Sequence, residues 1–308
     1  MKTFLELVKI KHWIKNIFIF APLVFSLQLL QVEKIINEIV AFFSFICISV
    51  FVYIINDLID AGNDAKHPVK SLRPIASGRI NKKIGFSIGF VFFVIGLFLS
   101  FFLKFNATII VLSYLVMNIL YSFFLKKVII LDVFVIAIGF CLRVLIGSIA
   151  IDVPLSNWML LTTFSISLIF GFSKRRHEIL VLGVNFHHHR ERLKDYNKEF
   201  LDIMICISMA ITIISYAIWA MDPAVIDKIH SENLLLTLPF VLFGLFRYLM
   251  LIYSREKGGN PEELVATDPG IIISVVLYLV TVFILVYFKD FFNNQYFDFK
   301  LFSYLIKL

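Results

Sequence analysis

The sequence predicts an all-α protein that crosses the membrane many times, and three observations support this class. Of the 308 residues, 60% are hydrophobic and only 17% are charged, whereas a soluble domain carries about 25% charged residues. Several apolar runs approach the roughly 20 residues that a helix needs to cross a bilayer. Most connections between these runs are short, which leaves no room for a soluble domain.

Hydrophobic periodicity and run length divide the chain into nine predicted membrane spans. Each span is bounded by charged residues or by turn-forming residues. With nine spans, the two termini lie on opposite sides of the membrane. The predicted spans are Trp13–Leu30, Ile35–Ile55, Ile84–Leu103, Ala107–Leu125, Val128–Ala150, Ser156–Phe172, Phe200–Ala220, Leu234–Tyr253 and Gly270–Phe288.

The distribution of positive charge predicts the orientation in the membrane. Most of the 29 Lys and Arg residues lie at the N-terminus or in the loops after the even-numbered spans. Because positively charged loops stay in the cytoplasm, the N-terminus is predicted to be cytoplasmic and the C-terminus to lie outside, in a plasma (inner) membrane protein. The net charge of +7 suits contact with anionic lipid headgroups, so nucleic acid is not an expected partner.

The two longest hydrophilic loops, residues 57–83 and 174–199, both fall on the predicted cytoplasmic side. Residues 255–269 form a turn before a short amphipathic segment, to which we assign no role. The tail, residues 289–308, is rich in Phe, Tyr and Lys, which is typical of a segment lying at the membrane surface, here the outer one.

The first hydrophilic loop begins with three carboxylates on one predicted helix face. If the second span continues as a helix, Asp57, Asp60 and Asp64 fall within an arc of roughly 60°, and Tyr53 lies on the same arc. Mg²⁺ suits such a site because it takes oxygen ligands and is shared between carboxylates and substrate phosphates; Asn56 adds an amide oxygen. The alternative is a solvated helix end, but Asp is unfavourable at a helix C-terminus.

Cations follow the acids within the same loop. Lys70 and Arg73 are predicted to bind phosphate oxygens that a metal does not cover. The alternative is that they anchor the loop to the membrane surface. His67-Pro68 is interpreted as a turn.

The second loop opens with three adjacent cations, Lys174, Arg175 and Arg176. We predict that they form a second anion site that faces the first and holds a phosphate without a metal. The alternative is that they only anchor a cytoplasmic helix end. Further along the loop, His187–His189 are interpreted as surface residues, because neighbouring helical residues do not share a face.

Other candidate residues lie at the cytoplasmic ends of the spans or inside them. Lys15 either reaches toward the membrane surface or contacts a phosphate. Tyr121 and Lys126 end the fourth span on the same side. Asp132 and Arg143 share a face of the fifth span and can neutralise partners inside the bundle.

These residues carry a resemblance to the UbiA-type intramembrane prenyltransferase superfamily, and within it to the decaprenyl-phosphate phosphoribosyltransferase branch. The first Asp-rich motif of the superfamily is matched by Asn56–Asp60, Asp64, His67–Lys70 and Arg73–Gly78. Further stretches similar to the branch are Trp13–Asn16, Tyr121–Lys126, Gly139–Arg143, Ser156–Trp158, Lys174–Arg176 and Gly259–Glu263. The resemblance covers almost the whole chain, which implies one UbiA-like membrane domain over residues 1–308.

The resemblance implies nine transmembrane helices around a central cavity that opens to the cytoplasm. It also implies Mg²⁺ as cofactor and 5-phosphoribosyl 1-diphosphate (PRPP) as donor. By match of motif, Tyr53, Asn56, Asp60 and Lys70 would contact the donor and its metal, with Lys15 nearby. Ordinary prenyltransferases have a second Asp-rich motif where this chain has Lys174–Glu178, with three cations and a single acid. The resemblance with this departure implies a lipid monophosphate as acceptor.

The expected reaction is therefore Mg²⁺-dependent transfer of 5-phosphoribose from PRPP to a polyprenyl phosphate with release of pyrophosphate; synthesis of cell-wall sugars is one pathway it could serve. A phosphate monoester is already anionic at neutral pH, so no strong general base is required.

The sequence is compatible with two alternative functions. One is a conventional prenyltransferase acting on an aromatic or small acceptor, and the other is a non-enzymatic ion or lipid transporter.

Overall fold

The structure is a computed structural model that describes residues 2–26, 28–66, 70–182, 196–229, 232–255 and 261–287. Its regular elements within these ranges are all helical. The helices are α1 (Lys2–Leu7), a 3₁₀ helix (Ile10–Phe20), α2 (Ala21–Phe25), α3 (Val32–Asp64), α4 (Lys82–Leu103), α5 (Phe105–Phe123), α6 (Leu131–Ile151), α7 (Asn157–Leu182), α8 (Lys198–Met221), α9 (Pro223–Ile229), α10 (Leu238–Arg255), α11 (Pro261–Thr267) and α12 (Pro269–Tyr287). Short 3₁₀ turns lie at Lys70–Leu72, Leu125–Lys127 and Glu232–Thr237.

Among the residues that the structure describes, six helices are long and apolar enough to cross a membrane. They are α3, α4, α5, α6, α8 and the helix over Asn233–Ser254, which joins a 3₁₀ turn to α10. These six coincide with the second, third, fourth, fifth, seventh and eighth predicted spans. The sixth predicted span coincides with α7, and the ninth with the shorter apolar helix Pro269–Leu285.

The first predicted span is not one α-helix. It consists of the 3₁₀ helix followed by α2. At a rise of about 2.0 Å per residue for the 3₁₀ helix and about 1.5 Å for α2, the two together extend roughly 30 Å. The narrow 3₁₀ helix lies directly against α6 at Gly147, where an added Cβ would overlap the carbonyl oxygen of Ile19. That this segment spans the membrane stays a prediction, whereas its hydrogen-bonding pattern is mainly 3₁₀ and not α-helical.

The prediction that the second span continues through the acids is confirmed. α3 is 33 residues long, or roughly 50 Å, and exceeds the roughly 30 Å hydrocarbon core of a bilayer. The helix is therefore long enough for its carboxyl end, which carries Asp57, Asp60 and Asp64, to extend beyond such a core. We call this carboxyl end, from Asn56 to Asp64, the acidic end of α3.

The core consists of two main clusters that share α6. One cluster joins α6 to α3, α5 and the 3₁₀ helix through Phe45, Tyr114 and Ile146. The other joins α6 to α7, α8 and α10 through residues such as Val133 and Phe172. Because α6 belongs to both clusters, its inward face is positioned between the two halves of the bundle.

Candidate active site

A cavity of about 230 Å³ lies between the two halves of the bundle. Its walls come from the 3₁₀ helix, α3, α5, α6 and α7, and Pro261 at the start of α11 also lines it. Its charged lining residues are Lys9, Lys15, Arg73, Arg143 and Lys174. Among the described residues, no carboxylate lines the cavity. The cavity is therefore suited to a ligand that carries several negative charges.

Two of the three carboxylates on the acidic end of α3 are neutralised by one arginine. Asp57 and Asp64 are 2% and 5% exposed, and Nη1 of Arg73 donates to both, at 2.8 Å and 2.7 Å. Nζ of Lys9 also donates to Asp57, at 2.7 Å. Arg73 and Lys9 thus stand between these two carboxylates and the cavity.

Asp60 has a different environment on the same helix. Its carboxylate is about a quarter exposed, and it accepts a hydrogen bond from Nζ of Lys126 at 2.6 Å. Asn56, one turn earlier, lines the cavity, and its Oδ1 accepts from the Ser122 hydroxyl at 3.3 Å. Lys126, named from the sequence only as a residue at the end of the fourth span, therefore contacts the acidic end of α3 through Asp60.

The expectation of one metal site with three carboxylates is not met in this arrangement. Within the described ranges, no group of three His, Cys, Asp or Glu residues could hold a metal. Asp57 and Asp64 are paired with Arg73, whereas Asp60 is paired with Lys126. Asn56 and Asp60 remain as an oxygen pair on adjacent turns of α3, and this pair fits Mg²⁺, which binds through one or two carboxylates and substrate phosphates.

Lys9 is a site residue that the sequence analysis missed. It lies between α1 and the 3₁₀ helix in the left-handed conformation (φ 49°, ψ 50°). Its ammonium lies 5.4 Å from the centre of the Tyr53 ring. Burial lowers the pKa of Lys9, and the neighbouring Asp57 opposes this shift. Since Lys9 and Asp57 are 48 residues apart, no local sequence pattern indicates this contact.

Several predicted residues do line the cavity. Besides Lys9, Arg73 and Asn56, the lining includes Lys15, Tyr53 and Tyr121. Lys70 lies in the 3₁₀ turn Lys70–Leu72 and does not line the cavity. His67-Pro68 and His187–His189 lie outside the described residues, as do Gly259 and Asn260.

Of the three adjacent cations on α7, only Lys174 lines the cavity. Arg175 is 3% exposed and donates to Asp132 at 2.7 Å and to Glu178 at 2.6 Å. Asp132 also accepts a hydrogen bond from Tyr196 at 3.0 Å. Successive helical residues are about 100° apart, so the three side chains leave the helix in different directions.

Arg176 is directed away from the cavity as well. It donates to Asp202 on α8 at 2.6 Å, and its guanidinium lies 4.4 Å from the centre of the Tyr253 ring. The prediction that three cations together face the acidic end of α3 is therefore wrong for Arg175 and Arg176. Arg176 pairs with Asp202 on α8, and Arg175 pairs with Asp132 on α6 as well as with Glu178 on α7 itself. The sequence alone does not place the partners on α6 and α8.

Arg143, midway along α6, lines the cavity and is 3% exposed. It donates to Asn16, to the Gly139 carbonyl and to the Tyr114 hydroxyl at 2.8, 2.8 and 3.1 Å. The alternative that Asp132 and Arg143 neutralise partners in the bundle holds for Asp132, whose partner is Arg175. It does not hold for Arg143, which has no carboxylate partner among the described residues.

The chain matches the family model described as the UbiA prenyltransferase family over residues 19–266. A decaprenyl-phosphate phosphoribosyltransferase from Mycolicibacterium smegmatis is 28% identical over 296 residues, which are 92% of either chain. A protein of the same description from Mycobacterium tuberculosis is 25% identical over 280 residues, 89% of this chain and 91% of the relative.

Solved structures show the same fold. A UbiA homolog from Archaeoglobus fulgidus bound to DMAPP and Mg²⁺ superposes with a TM-score of 0.70 at 18% identity, covering 92% of this chain and 99% of the homolog. The family match spans most of the chain, and the relatives cover it almost from end to end. This chain therefore belongs to the UbiA prenyltransferase family and is a transferase.

Proposed function

We propose that this protein transfers 5-phosphoribose from PRPP to a polyprenyl phosphate in a Mg²⁺-dependent reaction that releases pyrophosphate. The observation that carries the proposal is the cavity, which is lined by five cationic side chains and by no carboxylate among the described residues. PRPP and a lipid phosphate together bring a diphosphate and two phosphate monoesters. The names of the relatives, decaprenyl-phosphate phosphoribosyltransferases, support the same pair of substrates.

The donor's diphosphate is proposed to lie at the acidic end of α3. Asn56 and Asp60 would hold Mg²⁺, which when bound neutralises charge on the leaving diphosphate. Lys9 and Arg73 lie beside this oxygen pair with their ammonium and guanidinium groups at the cavity wall. They can bind phosphate oxygens that the metal does not cover.

Asp57 and Asp64 act through these cations. Buried carboxylates hold a cationic partner in place by hydrogen bonds and charge, and both carboxylates hold Arg73. We assign Asp57 and Asp64 as positioning residues that fix Arg73, and Asp57 as the residue that also fixes Lys9. Tyr53 and Lys15 complete the polar wall on this side, and Lys70 lies just beyond it.

The acceptor phosphate is proposed to enter between α7 and the 3₁₀ helix, where Lys174 and Lys15 line the cavity. A phosphate monoester is largely dianionic at neutral pH because its second pKa is about 6. An oxygen of this phosphate can bond to ribose C1 as the bond between C1 and the diphosphate oxygen breaks. The protein's contribution is to position both substrates and to neutralise their charges.

The membrane arrangement follows the charge distribution. We propose nine spans, with the 3₁₀ helix and α2 as the first, α7 as the sixth and α12 as the ninth. We also propose that the N-terminus and the cavity mouth face the cytoplasm of the plasma membrane. This orientation is supported by the excess of Lys and Arg on that side, and it gives the cavity access to a soluble donor.

The test uses membranes that contain the full chain, PRPP labelled in the ribose, polyprenyl phosphate and Mg²⁺. We expect label in the extracted lipid, and loss of the labelled lipid when EDTA is added or when the polyprenyl phosphate is left out. A chain that is present in the membrane at normal level but transfers no label contradicts the proposal.

One observation favours a second function, the transfer of a prenyl group to a small acceptor. The Archaeoglobus fulgidus homolog with the same fold was solved with DMAPP and Mg²⁺. The same membranes supplied with labelled prenyl diphosphate and candidate aromatic acceptors separate the two reactions. We expect no prenylated product, because the end of α7 presents Lys174 to the cavity and, among its described residues, no carboxylate that could hold a second metal there.

A further inference from the structure

Arg143 differs from Lys9 and Arg73, two other cations that line the cavity, in how its charge is balanced. Lys9 and Arg73 have carboxylate partners on α3, and Arg175 and Arg176 have carboxylate partners away from the cavity. The three acceptors of Arg143 are an amide oxygen, a main-chain carbonyl and a phenol hydroxyl, all neutral. Within the described ranges, its buried positive charge has no ionic partner.

Its surroundings stabilise the cation only in part. The guanidinium carbon lies 5.0 Å from the ring centres of Phe45 and Tyr114 and 5.3 Å from that of Phe140. Such contacts offset only part of the free energy that it costs to remove an ion from water. An anion beside Arg143 would offset the remaining cost.

The guanidinium retains donors for such an anion. It has five N–H groups in a planar fork, and three have acceptors in the protein: one from Nε, one from Nη1 and one from Nη2. One N–H on each terminal nitrogen is left. Two N–H groups of one guanidinium can bind the oxygens of one phosphate, and Arg143 lines the cavity in which a phosphate would lie.

This position is separate from the oxygen pair at Asn56 and Asp60. Phe45, whose ring contacts the Arg143 guanidinium, lies 11 residues before Asn56 on α3, which corresponds to roughly 16 Å along the helix. A metal held by Asn56 and Asp60 therefore does not reach a phosphate held at Arg143. The anion at Arg143 has to be bound by cations alone, and Lys15 and Lys174 line the same cavity.

We propose that Arg143 forms a metal-independent subsite for a phosphate monoester at the inner part of the cavity. The chemistry of the ligand rests on the proposed function, since both substrates carry such a group: the 5-phosphate of the ribose donor and the phosphate of the lipid acceptor. In this arrangement the phosphate monoester binds to the guanidinium group of Arg143, whereas the diphosphate binds through the metal at a different place in the cavity.

The test measures binding rather than turnover, with the full-length protein in lipid nanodiscs and EDTA present throughout. Ribose 5-phosphate represents the donor's monoester and farnesyl phosphate the lipid monoester; ribose and farnesol are the matched ligands without phosphate. We expect at least one monoester to bind the wild type and the Arg143→Gln variant to bind it about 10-fold to 100-fold more weakly, since a hydrogen bond to a charged group contributes about 1.5–3 kcal/mol.

Two further variants keep the result interpretable. Arg143→Lys retains the charge without the fork, so we expect it to bind better than Arg143→Gln and worse than the wild type. Lys11→Gln removes a cation that is mostly exposed and does not line the cavity, and we expect unchanged binding. Loss of affinity for ribose 5-phosphate alone assigns the subsite to the donor, and loss for farnesyl phosphate alone assigns it to the acceptor.

Thermal unfolding gives a readout that a purely structural role would not produce. A ligand that binds only the folded protein raises its melting temperature, so the bound monoester should stabilise the wild type and not Arg143→Gln. Without ligand, removal of an uncompensated buried charge should leave the variant at least as stable as the wild type.

Three results overturn the proposal: no binding of either monoester to the wild type, equal binding by Arg143→Gln, or a large loss of stability in the ligand-free variant with unchanged affinity. These results are independent of the reaction. Arg143-dependent monoester binding without phosphoribosyl transfer would contradict only the proposed function, and transfer without Arg143-dependent binding would contradict only the subsite.

Discussion

The acidic end of α3 and the cationic end of α7 carry opposite charges, and the structure neutralises them in opposite ways. On α3, the carboxylates lie behind Lys9 and Arg73, so the groups that reach the cavity are cations. On α7, Arg175 and Arg176 are held by carboxylates of other elements, so Lys174 alone reaches the cavity. Both helix ends therefore present positive charge to the same space.

This comparison of the two helix ends shows that the formal charge of a sequence motif does not determine the charge that the motif presents to a ligand in the cavity. The Asp-rich motif contributes mainly by holding cations at the cavity wall, with Asp60 as its most exposed carboxylate. The Arg-rich motif contributes mainly to packing, since Arg175 and Arg176 tie α7 to α6 and α8. The following predictions test this contrast.

The largest effect is expected from Asp60→Asn. The change removes the one carboxylate assigned to the metal. We expect the rate of phosphoribosyl transfer to fall about 10³-fold, because losing a group that stabilises charge in the transition state has an effect of this size. The measurement is the initial rate of label transfer at saturating substrates. Asp64→Asn is the control: because Asp64 only holds Arg73, its loss should be at least tenfold milder, and equal losses would contradict the assignment.

Arg175→Ala should act on stability. In this variant the buried Asp132, which is 1% exposed, loses its cationic partner and keeps only the hydrogen bond from Tyr196. Removing one partner of a buried ion pair lowers the free energy of unfolding by about 3–5 kcal/mol. We expect a clearly lower melting temperature in detergent and an unchanged KM for polyprenyl phosphate in the folded fraction. A stable Arg175→Ala protein with a raised acceptor KM would instead place Arg175 at the substrate.

Lys174→Gln should separate the acceptor from the donor. Lys174 is the cation of the α7 end that lines the cavity, and loss of one charged hydrogen bond corresponds to about 10-fold in affinity. We expect the KM for polyprenyl phosphate to rise by this factor and the KM for PRPP to change less than twofold. Equal increases in both values would argue against separate sites.

The smallest effect is expected from Lys9→Gln. Arg73 still covers Asp57 in this variant, so we expect the KM for PRPP to rise by only about threefold to tenfold, as for a partly compensated charge contact. Lys11→Gln is the matched control, because Lys11 is mostly exposed and pairs weakly with Glu263 at 3.7 Å. A Lys9 variant that behaves like the Lys11 variant would remove Lys9 from the site.

Much of the architecture was predictable because helix period and run length are local properties. The shared face of the three acids was predicted on the condition that the second span continues as a helix, and α3 does continue through Asp64. Lys15, Tyr53, Asn56, Arg73, Tyr121, Arg143 and Lys174 were named from the sequence as site residues, and all of them line the cavity. Their roles toward substrates stay predictions.

The charge partners were not predictable because they depend on contacts far apart in the chain. Lys9 pairs with Asp57 across 48 residues, and Arg175 pairs with Asp132 across 43. Which of three adjacent cations faces a cavity depends on the rotation of α7 against its neighbours, and no spacing within α7 contains that information. The 3₁₀ helix in the first span is a further case, since its apolar run fits an α-helix equally well.

The most direct test is the position of the donor's metal. A crystal of the full chain with PRPP and Mn²⁺ in place of Mg²⁺ locates the ion by its anomalous scattering. The account predicts an ion bound by Asp60 and Asn56 together with the donor's diphosphate, and no ion at the α7 end. An ion bound at Glu178 or Asp132, with Asp60 still paired to Lys126, would contradict the assignment of the two helix ends.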